Sequence, residues 1–474
     1  MISSAPRQLS WRDPDGFVVR IGQRIVRAVN PERVSIIERL LQSDWLQVQM
    51  RSGRVSRSWW TEDMPAQCNP VASAVGRWLE HERVEFPIYP HEITALQLYD
   101  AAKLTLSLAL EALDHGWSMK DGTAWNVLFT PRGPVFCDLL SFEPLTDTQT
   151  WSGYAQFQRC FTIPLLLSKH LGIAPRTWFL AEREGVTPEA ARRMLSGLTA
   201  WTQPALEAVT LPTLFASRGR RARSAAAHRP VAAGRPEVQR HLLRATLTRL
   251  MKHVEGLKPA SQTSTWSHYR ATRDHYSEAD LHLKEGLVHN ALSDPAVRNV
   301  LDLGCNTGEY SELAAGLGKT VVAIDTDDES VQRLYATSRR SEATISAAVT
   351  NIARPTPSLG WLSTEIPSFL ERTKGLFEGV LALGLIHHLL VTERTPLPQI
   401  ADLFSRLSSY LLVVEWVDPE DPRFLELAGA NLPLYRGVTR EAFEAAFSLQ
   451  FGLRTRLELP ERRTRTLYTW IRRS

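Results

Sequence analysis

Long apolar runs are missing from this 474-residue chain. No stretch of about 18 consecutive apolar residues occurs, so no transmembrane helix and no membrane partner are expected. The opening residues, MISSAPRQLSWRDPDG, lack the apolar core of a secretory leader, so no signal peptide is expected. Cysteine is scarce. Cys68, Cys137, Cys160 and Cys305 form no CxxC pair and have no nearby histidine set, which argues against structural zinc and for a reducing, cytoplasmic setting. No metal site is expected. Lysine is scarce as well: eight lysines stand against 47 arginines, and the net charge is only +4. That balance gives no extended basic face for nucleic acid. No internal repeat is present. A hydrophobic share of 43% and a charged share of 22% exclude a mainly disordered, collagen-like or coiled-coil chain. What remains is a globular protein of two or three domains.

The composition breaks once, over residues 216–240 (ASRGRRARSAAAHRPVAAGRPEVQR). Seven arginines and almost no large apolar residue fall there, which reads as an Arg/Ala/Pro-rich linker. It separates an N-terminal domain, 1–215, from a C-terminal domain, 241–474. The N-terminal part opens with a hairpin (GFVVRIGQRIVRAV) and a further strand (WLQVQM). A long helical pattern follows in HEITALQLYDAAKLTLSLALEALDHG, then two strands, WNVLFT and PVFCDLLSF, and a helical stretch over about 151–210. This is an α+β reading. The C-terminal part alternates apolar strands (RNVLDLG, KTVVAID, FEGVLALG, SYLLVVEWV) with helical segments, and ends in two strands joined by a polar turn. That alternation predicts a doubly wound α/β sheet closed by an antiparallel hairpin.

The sharpest motif ends the first of those strands: Asp302-Leu303-Gly304-Cys305-Asn306-Thr307-Gly308. Glycines there let the backbone approach a ligand, and the next helix offers N–H groups at its start. A dinucleotide fingerprint is excluded, because Asn306 and Glu309 stand where its second and third glycines belong. An acid inside the turn repels a pyrophosphate but suits an ammonium group. Asp325 closes the next strand 23 residues later, where an acid accepts hydrogen bonds from a ribose diol. Acid for amine, helix start for carboxylate and acid for ribose together describe S-adenosyl-L-methionine.

These residues resemble the first two motifs of class I SAM-dependent methyltransferases. From about residue 85 onward the chain is similar to a family of two-domain methyltransferases that includes the nodulation protein NoeA. The stretches that carry this include KDGTAWNVLF, STWSHY, LDLGCNTGEYS, VVAIDTD, LALGLIHHL, PLPQIADLF and EWVDPEDPRF. The resemblance implies a seven-stranded Rossmann-like C-terminal domain. It implies a cofactor site built from Asp302, Gly304, Cys305, Asn306, Gly308, Asp325 and Thr326, with Asn351 near the adenine and Gly384 facing the transferred methyl.

Methyl transfer needs an aligned acceptor and, for a hydroxyl or amine, a base. His387 and His388 follow the fourth strand, and imidazole titrates near neutrality, so they are the candidate catalytic residues. One of them can instead pack in the core and the other cap a helix. Tyr269, Tyr276 and Glu415 are candidate substrate contacts; plain core packing and a salt bridge are the competing readings. A small-molecule acceptor, methylated on oxygen or nitrogen, is expected.

The N-terminal part carries Asp121 and Asn126, five apart, and Asp138 twelve residues on. This is similar to the catalytic loop and metal-binding Asp of kinase-like folds. No Gly-rich loop and no V-A-I-K lysine accompany it, and DFG is replaced by Asp138-Leu139-Leu140. A kinase-like scaffold for substrate or partner recognition is therefore expected. Phosphotransfer, alone or with methyltransfer, is the second reading, and a non-catalytic binding module is the third.

Overall fold

The computed structural model describes residues 7–10, 13–64, 75–145, 151–195, 197–215, 236–260 and 276–473. The chain divides into two compact units. The first comprises Met1–Ala260 with Gly360–Ile366, and the second comprises Ser261–Leu359 with Pro367–Ser474.

In the first unit, β1 (Arg7–Gln8), β2 (Gly16–Ile21), β3 (Arg24–Val29), β4 (Ser58–Thr61) and β5 (Arg77–His81) form an antiparallel sheet in the order β1-β2-β3-β5-β4. The expected hairpin is β2–β3. The segment WLQVQM, read as a strand, lies instead in helix Asp44–Arg51. Ser43 caps that helix through Leu46 N, and Trp45, Leu46, Gln49 and Met50 are buried at helical spacing. A short apolar run fits either period until its cap decides.

The long helix is Ala95–Asp114. Thr94 and Gln97 exchange a reciprocal capping pair that sets its start. It is followed by β6 (Trp117–Met119), β7 (Val127–Thr130), β8 (Gly133–Phe136) and β9 (Phe142–Pro144), which pair as β6–β9 and β7–β8. The linker expected at 216–240 lies mostly outside the described residues. Its last five residues begin a helix, Pro236–Gly256, that belongs to the first unit. Leu243, Leu247, Leu250 and Val254 recur every three or four residues and are all buried, which ties this helix to the first core. The boundary therefore falls after residue 260 rather than 240.

The second unit holds a seven-stranded mixed sheet. Its strands are β10 (Asn299–Leu303), β11 (Thr320–Asp325), β12 (Ile345–Val349), β13 (Phe377–Ala382), β14 (Ser408–Val417), β15 (Phe451–Glu458) and β16 (Arg465–Arg472). Their order is β12-β11-β10-β13-β14-β16-β15. β10 to β14 run parallel, and β16 is antiparallel to both β14 and β15. The central strands are buried on both faces, so they read as continuous apolar runs rather than alternating ones. The strand order reverses between β10 and β13. Crevices at such a switch point are where open α/β sheets bind ligands.

Among the described residues, no helix is long and apolar enough to cross a membrane.

Candidate active site

The carboxyl ends of β10, β11, β12 and β13 open onto a cavity of about 910 Å³ within the second unit. Asp302, Gly304, Cys305, Asn306, Asp325, Thr326, Asn351, Gly384, His387, His388 and Tyr276 all line it. These residues span 113 positions of sequence and come together because each follows, or sits on, a strand or helix that ends at the same edge.

The turn after β10 is held by its own atoms. Gly304 and Gly308 take φ of 69° and 89°. A Cβ at Gly308 would meet Leu334 Cδ1 at 2.2 Å, so this residue is a packing requirement and not a wall of the cavity. Gly304 N and Cys305 N donate to Ile324 O at 2.9 and 3.0 Å. Asn306 N donates to Asp325 Oδ2 at 2.8 Å, Thr307 N to Asn306 Oδ1 at 2.6 Å, and Gly308 N to Cys305 O at 2.9 Å. Every amide from 304 to 308 thus has an acceptor inside the protein. The N–H groups expected for a ligand belong to the start of the following helix, Glu309–Gly316, and not to this turn.

Asp302 is 3% exposed and accepts a hydrogen bond from Ser311 Oγ at 2.6 Å. Burial pushes its pKa up to about 6, against the opposing pull of the Ser311 hydroxyl. Asp325 accepts from Asp327 N at 3.0 Å and from Asn306 N at 2.8 Å, and burial raises its pKa too. Each carboxylate oxygen has a second lone pair, so both acids can still accept from a ligand. The Cys305 thiol is buried, and burial raises its pKa well above the ordinary value, which makes it an unreactive wall group.

Asn351 is arranged differently from the expectation. Its carbonyl oxygen accepts from Ala353 N at 2.8 Å, and its amide nitrogen donates to Glu393 Oε1 at 3.1 Å. The side chain closes its own loop. Glu393 also lines the cavity, and the Asn351 amide and Arg354 hold its pKa below the ordinary value.

His387 and His388 stand on helix Ile386–Val391 with ring centroids 4.2 Å apart. His387 is 5% exposed, and its Nδ1 has no hydrogen-bond partner among the described residues. Burial, then the neighbouring His388 and Arg465, drive its pKa well below 6.5, so it is neutral. Burial and Arg465 lower His388 as well.

Glu415 does not line the cavity. It is fully buried behind it and accepts from Lys284 Nζ at 2.7 Å and from the Tyr276 hydroxyl, with Arg465 Nη1 3.5 Å away. Arg465 Nε in turn donates to Asp421 at 3.0 Å. Tyr276, Lys284 and Arg465 do face the cavity, so Glu415 positions other groups and the proposed substrate contact moves to its partners. Tyr269 lies outside the described residues. No sequence motif marks Lys284, Arg465 or Glu393, all of which line the cavity. The one signal for Lys284 is rarity, since it is one of eight lysines in the chain.

No family model matches the chain. It is 27% identical over 481 residues to nodulation protein NoeA of Rhizobium meliloti (strain 1021), covering 100% of this chain and 98% of that protein. The chain resembles NoeA from end to end. Among solved structures, N-methyltransferase NodS from Bradyrhizobium japonicum WM9 aligns at 16% identity over 42% of this chain and 99% of NodS, with a TM-score of 0.31. The bifunctional kinase-methyltransferase WbdD aligns at 18% identity over 45% of this chain and 44% of WbdD, also at 0.31.

The first unit carries a separate polar cluster. Asn126 Nδ2 donates to Ser141 Oγ at 3.0 Å and to Asp138 Oδ2 at 3.4 Å. Ser141 Oγ stands 2.7 Å from Asp138 Oδ2 and 3.3 Å from Asp121 Oδ2. The three residues singled out in the sequence therefore meet around one serine. On the other side of Asp138, Arg27 Nη2 of β3 lies 3.0 Å from Oδ1, and Arg27 Nη1 reaches Asp13 at 3.1 Å. Burial would raise the Asp138 pKa, but Arg27 and Ser141 bring it below the ordinary value. Among the described residues, no group of three or more His, Cys, Asp or Glu is placed to hold a metal ion.

Proposed function

We propose that this chain is a class I SAM-dependent methyltransferase acting on an oxygen or nitrogen of a small-molecule acceptor. The observation that carries the reading is the placing of two acids, the buried Asp302 and the half-buried Asp325, on adjacent strands at the switch-point cavity. One acid suits the ammonium of the amino-acid end, and the other suits a ribose diol. Among the described residues the Nδ1 of His387 has no partner, which points to a ligand polar group that completes the site.

Bound there, S-adenosylmethionine supplies an electrophilic methyl on a sulfonium. The chain's own work is to align an acceptor, exclude water and manage one proton. Burial, with His388 and Arg465 adding to it, pushes the His387 pKa down, so its imidazole is a weak base. It suits an acceptor that gives up its proton readily, such as an amine or an acidic hydroxyl. The first unit then serves recognition. Its Asp121/Asn126/Asp138 cluster supports the phosphotransfer reading as the second one. The ion pair of Asp138 with Arg27 weighs against it, because an internal cation stands where a metal ion would be needed.

The test is calorimetric titration of the full chain with S-adenosylmethionine, with ATP–Mg²⁺ in parallel. Saturable S-adenosylmethionine binding that Asp302→Ala abolishes is the expected result. ATP–Mg²⁺ binding alone would overturn the reading and move the active site to the first unit.

A further inference from the structure

Lys284 is the strongest unassigned feature of the second unit. It sits on helix Glu278–Leu292, is 6% exposed, and faces the cavity. A lysine this deeply buried is rare unless its charge is answered. Glu415 answers it from behind at 2.7 Å. The ammonium also lies over the rings of Tyr276 and Tyr310, at 5.0 and 5.3 Å from their centroids.

Tyr310 connects Lys284 to the part of the cavity that Asp302 lines. Tyr310 and Ser311 are consecutive residues at the start of helix Glu309–Gly316; Lys284 packs on the first, and Asp302 bonds the second at 2.6 Å. One short stretch of helix therefore contacts both a buried cation and a buried anion that line the same cavity, and the Lys284 charge acts on the Asp302 carboxyl. An α-amino acid group is a zwitterion and needs that pair: an acid for its ammonium and a cation for its carboxylate. The amides of the turn at 304–308 already have acceptors in the protein, so on the backbone side only the start of helix Glu309–Gly316 is left to assist a side-chain cation.

We propose that Lys284 binds the carboxylate of the cofactor's amino-acid end, while Asp302 binds its ammonium. This rests on the reading of the cavity as an S-adenosylmethionine site. An ammonium has three donors, so Lys284 can keep Glu415 and still donate to a ligand carboxylate. Glu415 then has a defined job: it keeps the cation charged and oriented before the ligand arrives.

The experiment compares two probes on the full chain by calorimetry. S-adenosylhomocysteine carries the amino-acid end, and 5′-methylthioadenosine has the same nucleoside and sulfur without it. In the unaltered protein, S-adenosylhomocysteine should bind more tightly. In Lys284→Met, paired with Glu415→Gln so that Glu415 is not left charged without Lys284 and Arg465 keeps Asp421 as its anion, its affinity should fall roughly 10- to 100-fold while that of methylthioadenosine stays unchanged. Lys284→Arg should keep part of the preference. Equal losses for both probes would overturn the proposal and leave Lys284 a structural counter-ion. Binding of methylthioadenosine without any preference for S-adenosylhomocysteine in the unaltered protein would also overturn it, with the cavity reading intact. Binding of neither probe would remove the cavity reading itself.

Discussion

Lys284 Nζ donates to Glu415 Oε2 at 2.7 Å, with side chains 7% and 0% exposed. The bond joins the helix before the sheet to the end of β14, behind the cavity wall. Burial alone would raise the Glu415 pKa, but the Lys284 and Arg465 charges overcome it and hold the carboxyl down at about 2.

That depression fixes a stability prediction. The folded pKa lies below the ordinary 4.5, so the contribution is fully present above about 4.5 and is lost as pH falls toward about 2. Glu415→Ala should destabilise the second unit by about 3–5 kcal/mol at neutral pH, since it leaves two buried cations short of an anion. Urea unfolding followed from pH 7 down to pH 3 measures both effects. A Glu415→Ala protein with unchanged midpoint and unchanged acid sensitivity would show the pair to be idle.

Asp302 titrates in the opposite sense. Its folded pKa is raised to about 6, so between about 4 and 6 the folded chain holds a proton that the unfolded chain has released. Stability therefore falls as pH rises through that window. Binding of a cationic ligand behaves the other way, because it needs the ionised acid. Affinity for S-adenosylmethionine should be flat above about pH 6.5 and should drop by up to about tenfold per pH unit below 6. Calorimetry across pH 5–8 checks it, and Asp302→Asn should bind weakly with no such slope.

Asp325 carries a simpler expectation. It ends β11 and already accepts two backbone amides, from Asn306 and Asp327, which aim its remaining lone pairs at the cavity. Asp325→Ala removes the acceptor for a buried diol and should weaken S-adenosylmethionine binding by about 1–3 kcal/mol. It also frees the Asn306 amide, so a thermal melt must accompany the titration. An unchanged affinity in a folded Asp325→Ala protein would take the ribose away from this residue.

Much of this site was legible in the sequence because strand ends in a parallel sheet converge. Asp302, Asp325, Asn351, Gly384 and His387 follow or end β10 to β13, so finding the strands located the residues. What the sequence withheld was the choice between facing the cavity and backing it. Glu415 sits at a strand end like Asp325, yet points to Lys284 and Arg465, residues 131 and 50 positions away. Asn351 has the right chemistry for a ligand but uses it on Ala353 N. No local pattern encodes such partners, since they depend on which helix covers the strand end. The misread WLQVQM segment and the late domain boundary have the same origin: short apolar runs and a charged helix surface are settled by the surface they pack against.

Arg27 and Asp138 supply the last test. Arg27 lies on β3, is 8% exposed, and spans Asp138 and Asp13 at 3.0 and 3.1 Å. Arg27→Met leaves Asp138, 9% exposed, without its cation and should destabilise the first unit by about 3–5 kcal/mol. Arg27→Met with Asp138→Asn removes both charges and should recover most of that loss, which a double-mutant cycle in urea reads directly. The same proteins separate structure from phosphotransfer. If Asp138 serves as the counter-ion of Arg27, the unaltered chain takes up no ATP–Mg²⁺, and the double variant keeps its fold with nothing lost in ligand binding. ATP–Mg²⁺ binding in the unaltered chain, abolished in the stable double variant, would instead give Asp138 a nucleotide site.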